Sequence, residues 1–161
     1  MSRMKPTVYI ETTIPSFYYS DRTETDMVVV KDWTRDWWRE ESRNYELVSS
    51  VAVIDELKQG DHSGKEDKLK LLEGVRMLEL AVETDEIVET YLRHKLMPKD
   101  LSGDARHLAV ASFHRCDYLL TWNCRHIANA NKIGHIRRIN GMLGLPTPEL
   151  VTPLELVSEN K

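Results

Sequence analysis

The sequence predicts an α/β fold in which a parallel β-sheet is covered by helices. Short apolar stretches alternate along the chain with longer segments of helical periodicity, and this alternation is typical of βαβ units. TVYIE at residues 7–11 and DYLLT at residues 117–121 are two of the apolar stretches. The chain has 161 residues and shows no internal repeat or linker, so one domain is predicted over residues 1–161.

The amino-terminal half is predicted to alternate strands with helices. TVYIE (7–11) is a short buried strand, and TIPSFYYS (13–20) is interpreted as a turn into an aromatic-rich loop. Apolar residues between Asp26 and Ser42 recur at helical spacing, with Trp33 and Trp37 predicted to face inward. The remaining elements are a strand at 45–50, a helix at 51–59 that ends before Gly60, and a helix from Lys65 to Glu73.

The carboxyl-terminal half continues this pattern. A strand is predicted at 77–82, followed by a helix from Glu83 to Leu96 that ends before Pro98. Residues 102–116 form a helix with one face of small side chains, which suits close packing on a sheet. A strand at 117–121, a polar helix around 130–142 and a last strand at 149–152 complete the prediction.

Composition indicates a globular protein of a reducing compartment. Hydrophobic residues make up 41% and charged residues 30% of the chain, and no apolar run reaches the roughly 20 residues that cross a bilayer. The amino terminus has no signal-peptide pattern, so the expected location is the cytoplasm. Cys116 and Cys124 are predicted to lie at opposite ends of one strand, too far apart for a disulfide, and therefore to be free thiols.

The charge distribution favours a polyanionic partner although the formal net charge is −4. No Asp or Glu occurs from Tyr118 to Pro148, while several basic residues do. A basic segment of this kind can bind nucleic acid despite a negative total. The alternative is a helix whose basic residues only face water. The candidate phosphate-binding residues are Arg125, His126, Lys132, Arg137 and Arg138.

Four polar side chains are predicted to meet at one edge of the sheet. Glu11 ends the first strand, Glu56 lies early in the helix after the second strand, Asp104 lies in the first turn of its helix, and Asn123 follows strand 117–121. In parallel sheets the strands end at one edge, where ligands bind. Without a cation, the three carboxylates would repel one another. Together with the amide oxygen, they form a set of oxygen ligands that suits Mg²⁺ or Mn²⁺.

Each of these residues also has an ordinary structural interpretation. Asp104 can be a first-turn acid favoured by the helix dipole, and Asn123 can be an N-cap. Glu56 can be a solvated helix residue, whereas Glu11, which ends an apolar strand, is harder to explain without a partner. A zinc site is not indicated, because the spacing of the histidines and cysteines matches no tetrahedral signature.

Three segments, in this order, resemble the PIN domain. They are VYIETTIPSFY (8–18), SSVAVIDELKQG (49–60) and GDARHLAVASFHRCDYLLTWN (103–123). The sequence TWNCRHI (121–127) is similar to the last motif of VapC-type toxin ribonucleases, and the resemblance extends from about Thr7 to Pro153. It implies a three-layer α/β/α sandwich with a mainly parallel sheet, and Mg²⁺- or Mn²⁺-dependent cleavage of RNA. It also implies a small antitoxin partner and a homodimer, with no membrane association.

By position, the four acids of the family fall on Glu11, Glu56, Asp104 and Asn123. Glu11, Asp104 and Asn123 are the implied metal ligands, and Glu56 would position or deprotonate the attacking water. Two departures from the family pattern are Glu in place of Asp at position 11, and a neutral amide at position 123. The amide leaves open a PIN fold that binds RNA or a protein without cutting. A separate alternative is an unrelated α/β metal-dependent phosphatase acting on small molecules, against which the acid-free segment from Tyr118 to Pro148 counts.

Overall fold

The computed structural model describes residues 4–60, 62–99 and 102–157. Strands and helices follow one another along the chain much as the sequence predicts. The strands are β1 (Thr7–Ile10), β2 (Glu46–Ser50), β3 (Arg76–Leu78), β4 (Tyr118–Leu120) and β5 (Glu149–Val151). The helices are α1 (Thr13–Tyr18), α2 (Thr25–Glu40), α3 (Val51–Lys58), α4 (Lys65–Leu71), α5 (Val82–Arg93), α6 (Ser102–Phe113) and α7 (Ile133–Met142).

The five strands form one parallel sheet in the order β3-β2-β1-β4-β5. Tyr9 of β1 pairs with Val48 of β2 on one side and with Leu119 of β4 on the other. The chain therefore runs from β1 to β2 and β3 on one side of the sheet, and then returns past β1 to form β4 and β5 on the other side. Such a reversal opens a crevice beyond the carboxyl ends of the central strands, where ligands of parallel sheets bind.

The architecture is the expected three-layer α/β/α sandwich with a parallel central sheet. Helix α5 packs along α6, α1 packs on α2, and α3 contacts α4 and β2. The central strands are buried on both faces, so they are continuously apolar, as Val8, Tyr9 and Ile10 illustrate. Within the described ranges, no helix has the length and apolar character needed to cross a bilayer.

Two predictions about the aromatic amino-terminal region are wrong. Residues 13–18 form helix α1 rather than a turn and loop, because Glu11 O accepts the first helical bond from Ile14 N and Pro15 lies in the first turn, where it is tolerated. Trp37 is buried as predicted, but Trp33 is 41% exposed. The buried line of α2 follows Thr34 and Trp37, which leaves Trp33 to stack on Trp122.

The two cysteines agree with their prediction. Cys116 is buried just before β4 and Cys124 is exposed beyond its other end, and both are free thiols. Burial raises the pKa of the Cys116 thiol to about 12, with a smaller contribution from the charge of Asp117. The thiol is therefore protonated and acts as a small apolar core residue.

Candidate active site

Glu11 is the most deeply buried carboxylate of the candidate site. It directly follows β1 and is 3% exposed. Its Oε1 accepts hydrogen bonds from the Thr13 backbone N at 3.1 Å, the Thr13 hydroxyl at 2.5 Å and the Thr121 hydroxyl at 2.6 Å. The Thr13 hydroxyl in turn accepts from Trp122 N at 2.8 Å. These bonds tie the end of β1 to the end of β4 and hold the carboxylate at the crevice.

His107 lies between the carboxylates, on α6. Its side chain is 1% exposed, and its Nε2 lies 2.5 Å from Glu56 Oε1. A carboxylate only accepts, so the imidazole N–H donates to Glu56. On the other side of the ring, Nδ1 lies 2.8 Å from the Tyr9 hydroxyl, which lies 2.7 Å from the Ser50 hydroxyl. A continuous buried chain of hydrogen bonds therefore connects the sheet to Glu56.

Glu56 is fitted closely against the start of α6. A Cβ atom built on Gly103 would lie 3.2 Å from Glu56 Oε1, which is tighter than an ordinary contact. Glycine at this position lets the carboxylate approach the helix backbone. The Glu56 side chain is 37% exposed, so it faces the crevice as well as His107. The interpretation of Glu56 as a freely solvated helix residue is therefore wrong.

Asp104 and Asn123 meet on the opposite side of the site. The Asp104 carboxyl is hydrogen-bonded to the Asn123 side chain. The Asn123 Oδ1 accepts from His126 N at 3.0 Å, as an N-cap oxygen does. The amide oxygen therefore serves this turn, and the amide N–H₂ is the group of Asn123 that can interact with Asp104.

The carboxylate cluster, defined as Glu11, Glu56 and Asp104, has unevenly shifted pKa values. Burial raises the pKa of Glu11, and the opposing charge of His107 and the threonine hydrogen bonds do not offset it. Burial likewise raises the pKa of Asp104, against the hydrogen bond from Asn123. Both groups are consequently destabilised as anions, and a nearby cation would relieve them.

Glu56 and His107 stabilise each other's charged forms. Burial alone would raise the pKa of Glu56, but the hydrogen bond and the charge of His107 bring that pKa below its ordinary value. Burial would lower the pKa of His107, but the hydrogen bond and charge of Glu56, then the charges of Glu11 and Asp104, raise it. The pair therefore places one positive group among three carboxylates.

His107 is the residue that sequence reasoning missed. The histidine was considered only as a zinc ligand and set aside. A usable signal was its position three residues after Asp104, because residues three apart lie on one face of a helix. Helix α6 is buried almost all round, from Ala105 through Ser112, so a histidine there needs polar partners.

The basic residues predicted to contact phosphate are divided among different cavities and exposed positions. His126 and Lys132 line a common cavity beside the site. Arg137 lines a different cavity, together with Glu149 and Glu155. Arg125 and Arg138 are exposed and reach neither cavity wall.

The donor set fits a hydrated Mg²⁺ or Mn²⁺ ion and does not fit a closed metal cage. Carboxylate oxygens are the preferred ligands of these ions, and Glu11 and Asp104 are the carboxylates that do not contact His107 by a hydrogen bond. In the parts of the chain that the structure describes, no three His, Cys, Asp or Glu side chains are grouped to hold a metal ion. Mg²⁺ is commonly bound by one or two carboxylates and several waters, which this arrangement permits.

Comparison with known proteins supports the fold. No protein-family model and no curated protein matches the chain. Among solved structures, it is similar to the crystal structure of VapBC2 from Rickettsia felis bound to a DNA fragment from their promoter. The match has a TM-score of 0.56 at 11% sequence identity and covers 91% of this chain and 98% of the other. The fold is PIN-like. At this identity the likeness concerns the fold alone, and the site has to be judged from its own geometry.

The raised pKa of Glu11 in the PIN-like crevice predicts a pH-dependent stability. A carboxyl whose folded pKa lies above its ordinary value of 4.5 stabilises the fold at low pH, and this contribution is lost as pH rises through the folded pKa. The side chain in Glu11→Gln cannot ionise. The melting temperature of this variant, relative to that of the parent, should therefore increase as pH rises from 4.5. Thermal unfolding in EDTA between pH 4.5 and 8 measures the difference. A difference that stays constant with pH would contradict the prediction.

Proposed function

We propose that this chain is a divalent-metal-dependent endoribonuclease that hydrolyses phosphodiester bonds of single-stranded RNA. The observation that carries the proposal is the convergence of the carboxylate cluster at the carboxyl edge of a parallel sheet, where the strand order reverses. Residues as far apart in sequence as Glu11 and Asp104 are held there by dedicated hydrogen bonds and around one buried imidazole. Buried like charges destabilise a fold, so a cluster of this kind is better explained as a functional site than as a structural feature.

The roles follow from the contacts. Glu11 and Asp104 are the residues that would hold Mg²⁺ or Mn²⁺, which supplies Lewis-acid polarisation of a phosphoryl oxygen. Glu56, with its lowered pKa, is ionised at neutral pH and would accept the proton of the attacking water. His107 fixes the orientation of Glu56, and Asn123 fixes that of Asp104 by donating to it.

A wider role in a toxin–antitoxin pair is also proposed. The motifs of the sequence resemble VapC-type toxins, and the fold is shared with a VapBC2 structure. We infer a small antitoxin protein as partner and a homodimer as the working form. A short antitoxin gene beside this one, with co-purification of the two products, is the expected result.

One observation favours a second candidate, a PIN-like module that binds RNA or a protein without cutting. Glu56 is already hydrogen-bonded to His107, and the Asn123 oxygen is committed to its turn. If these hydrogen bonds persist, the site could still bind a cation and RNA but would have no general base to activate water. Catalytic cleavage and binding therefore have to be measured separately.

The deciding experiment follows a 5′-labelled single-stranded RNA in Mn²⁺, in Mg²⁺ and in EDTA. The proposal predicts cleavage with either metal and none in EDTA. Retarded but intact RNA in a binding assay under all three conditions would replace the ribonuclease by the binding module. Cleavage that persists in EDTA would reject the metal-dependent site.

A further inference from the structure

A cavity of about 600 Å³ lies beside the candidate active site and has no assigned role. It is formed by the segment that follows α5 and by the turn that follows β4. Its floor is apolar and its rim is basic. The floor consists of Leu96, Met97 and Pro98, and the rim of Lys95, Lys99, His126 and Lys132. We call this the basic cavity.

The rim of the basic cavity contains an unsatisfied polar atom. His126 Nδ1 is buried and has no hydrogen-bond partner among the described residues. Buried polar atoms are normally paired, so this nitrogen is an unmet hydrogen-bonding group on a residue that lines the cavity. His126 is also close enough to Asp104 to act on it electrostatically, which places the cavity next to the carboxylate cluster.

The lining selects for a ligand that is anionic at one end and apolar at the other. Three lysines and a histidine line the cavity, and none of the described residues that line it is acidic. The Lys132 ammonium is held at the wall by a hydrogen bond of 3.1 Å to Leu96 O. Ammonium groups bind phosphate as point charges, and an apolar floor accepts a base or ribose. Cavities of several hundred Å³ are of the size that holds small organic groups.

We propose that the basic cavity is a nucleotide subsite that holds the phosphate and base of the RNA residue next to the scissile bond. This inference rests on the proposed ribonuclease function and specifies where the substrate lies. RNA would cross from the carboxylate cluster past His126 into the cavity. Lys95 and Lys99 are thereby added to the RNA-binding residues, and Arg137, beside two glutamates, is removed from them.

Lys95 offers a substitution that can be controlled closely. It has a φ of 56° directly after α5, with Lys95 N bonded to Leu92 O and Leu96 N bonded to Tyr91 O. Arg115 has the same conformation after α6, with a φ of 57°. Its N–H is bonded to Ser112 O and the N–H of Cys116 is bonded to Ala111 O, which repeats the pattern at Lys95. Glycine is favoured at both positions. Arg115 precedes β4 and so lies at the opposite edge of the sheet.

The test compares Lys95→Gly with Arg115→Gly, each in the Asp104→Ala background so that RNA stays intact. Both changes remove one positive charge and relieve the same backbone conformation, so neither should lower the melting temperature. Anisotropy of fluorescein-labelled single-stranded RNA measures Kd over a series of KCl concentrations. Lys95→Gly should weaken binding about fivefold and reduce the slope of log Kd against log salt by about 0.7, as expected for one lost phosphate contact. Arg115→Gly should change neither.

The outcomes separate the subsite from the proposed function. If the parent cuts RNA but Lys95→Gly binds RNA as Arg115→Gly does, the subsite is wrong and the ribonuclease stands. If the parent binds RNA with the Lys95 dependence but does not cut it, the ribonuclease is wrong and the subsite stands. Lys95→Asn, which also tolerates the left-handed conformation, repeats the measurement should Lys95→Gly fold poorly.

Discussion

Asp104→Ala is expected to lower the rate of RNA cleavage by about a thousandfold, the size of effect produced when one charge-stabilising group leaves a preorganised site. Asp104 is half-buried at the crevice, its carboxyl is oriented by Asn123, and its raised pKa shows that its charge is poorly compensated by the protein alone. The variant loses a cation ligand and keeps the remaining cluster. Single-turnover cleavage of labelled RNA in Mn²⁺ measures the rate.

Asp26→Ala is the matched control. Asp26 and Asp104 are both acids in the first turn of a helix, α2 and α6 respectively, so both variants lose the same favourable interaction with the helix dipole, about 0.3–1 kcal/mol. Asp26 is exposed and belongs to no part of the candidate site. Equal rates in the two variants would show that Asp104 is only a first-turn acid.

His107→Ala is expected to destabilise the protein and to slow cleavage. The change leaves a cavity and removes the partner of Tyr9 and of Glu56, which costs about 3 kcal/mol by analogy with other buried deletions. For a domain of this size that corresponds to a fall in melting temperature of about 6–12 °C. Cleavage should fall in kcat with little change in KM, because His107 is buried and does not face the RNA.

Two further variants separate a positioning role from a packing role. His107→Gln retains an N–H donor for Glu56 and should recover part of the kcat. His114→Ala removes a surface histidine whose Nε2 lies 2.7 Å from Glu79 O, and should leave kcat and stability close to those of the parent. If His107→Gln were as slow as His107→Ala while melting like the parent, Glu56 would not be the group that His107 serves.

In the proposed ribonuclease, metal binding and catalysis would share one edge of the sheet for an electrostatic reason. Burial makes Glu11 and Asp104 poor anions, which favours a cation, while the imidazole of His107 keeps Glu56 ionised. The three carboxylates are therefore divided into two whose negative charge the protein compensates poorly and one that His107 keeps ionised. The basic cavity then supplies positive charge outside this negative cluster, where a phosphate chain would leave it.

Strands were predictable where both faces of the sheet are buried, and helices were predictable where their hydrophobic periodicity is clear. Residues 8–10 of β1 are apolar because the central strand is covered on both faces, and Gly60, predicted to follow the end of α3, has a positive φ there. Helix α1 was not predictable, because Thr, Pro and aromatic residues are typical of turns, and its first bond depends on where β1 ends. Trp33 is predicted to face the core because it lies four residues before Trp37, at helical spacing, whereas the buried line of α2 follows Thr34 and Trp37.

The site was predictable in its acids and not in their partners. Glu11 was identifiable because a carboxylate that ends a buried strand needs an explanation. Its actual partner, Thr121, lies 110 positions away, and no local pattern relates the two. The same holds for Glu56 and His107, which are 51 positions apart. Asn123 stays a predicted ligand, and the structure adds that its Oδ1 accepts a hydrogen bond from His126 N in the turn that follows β4.

The order of the elements, the apolar centre of the sheet and the acids at the strand ends were fixed by the chain itself, since periodicity and burial act over a few residues. The tertiary structure decided which side chains form hydrogen bonds with each other and where basic side chains come together. Parallel strands bring together residues from distant segments at one edge, and a hydrogen bond is decided there within a few tenths of an ångström. His107 and the basic cavity are consequences of that packing.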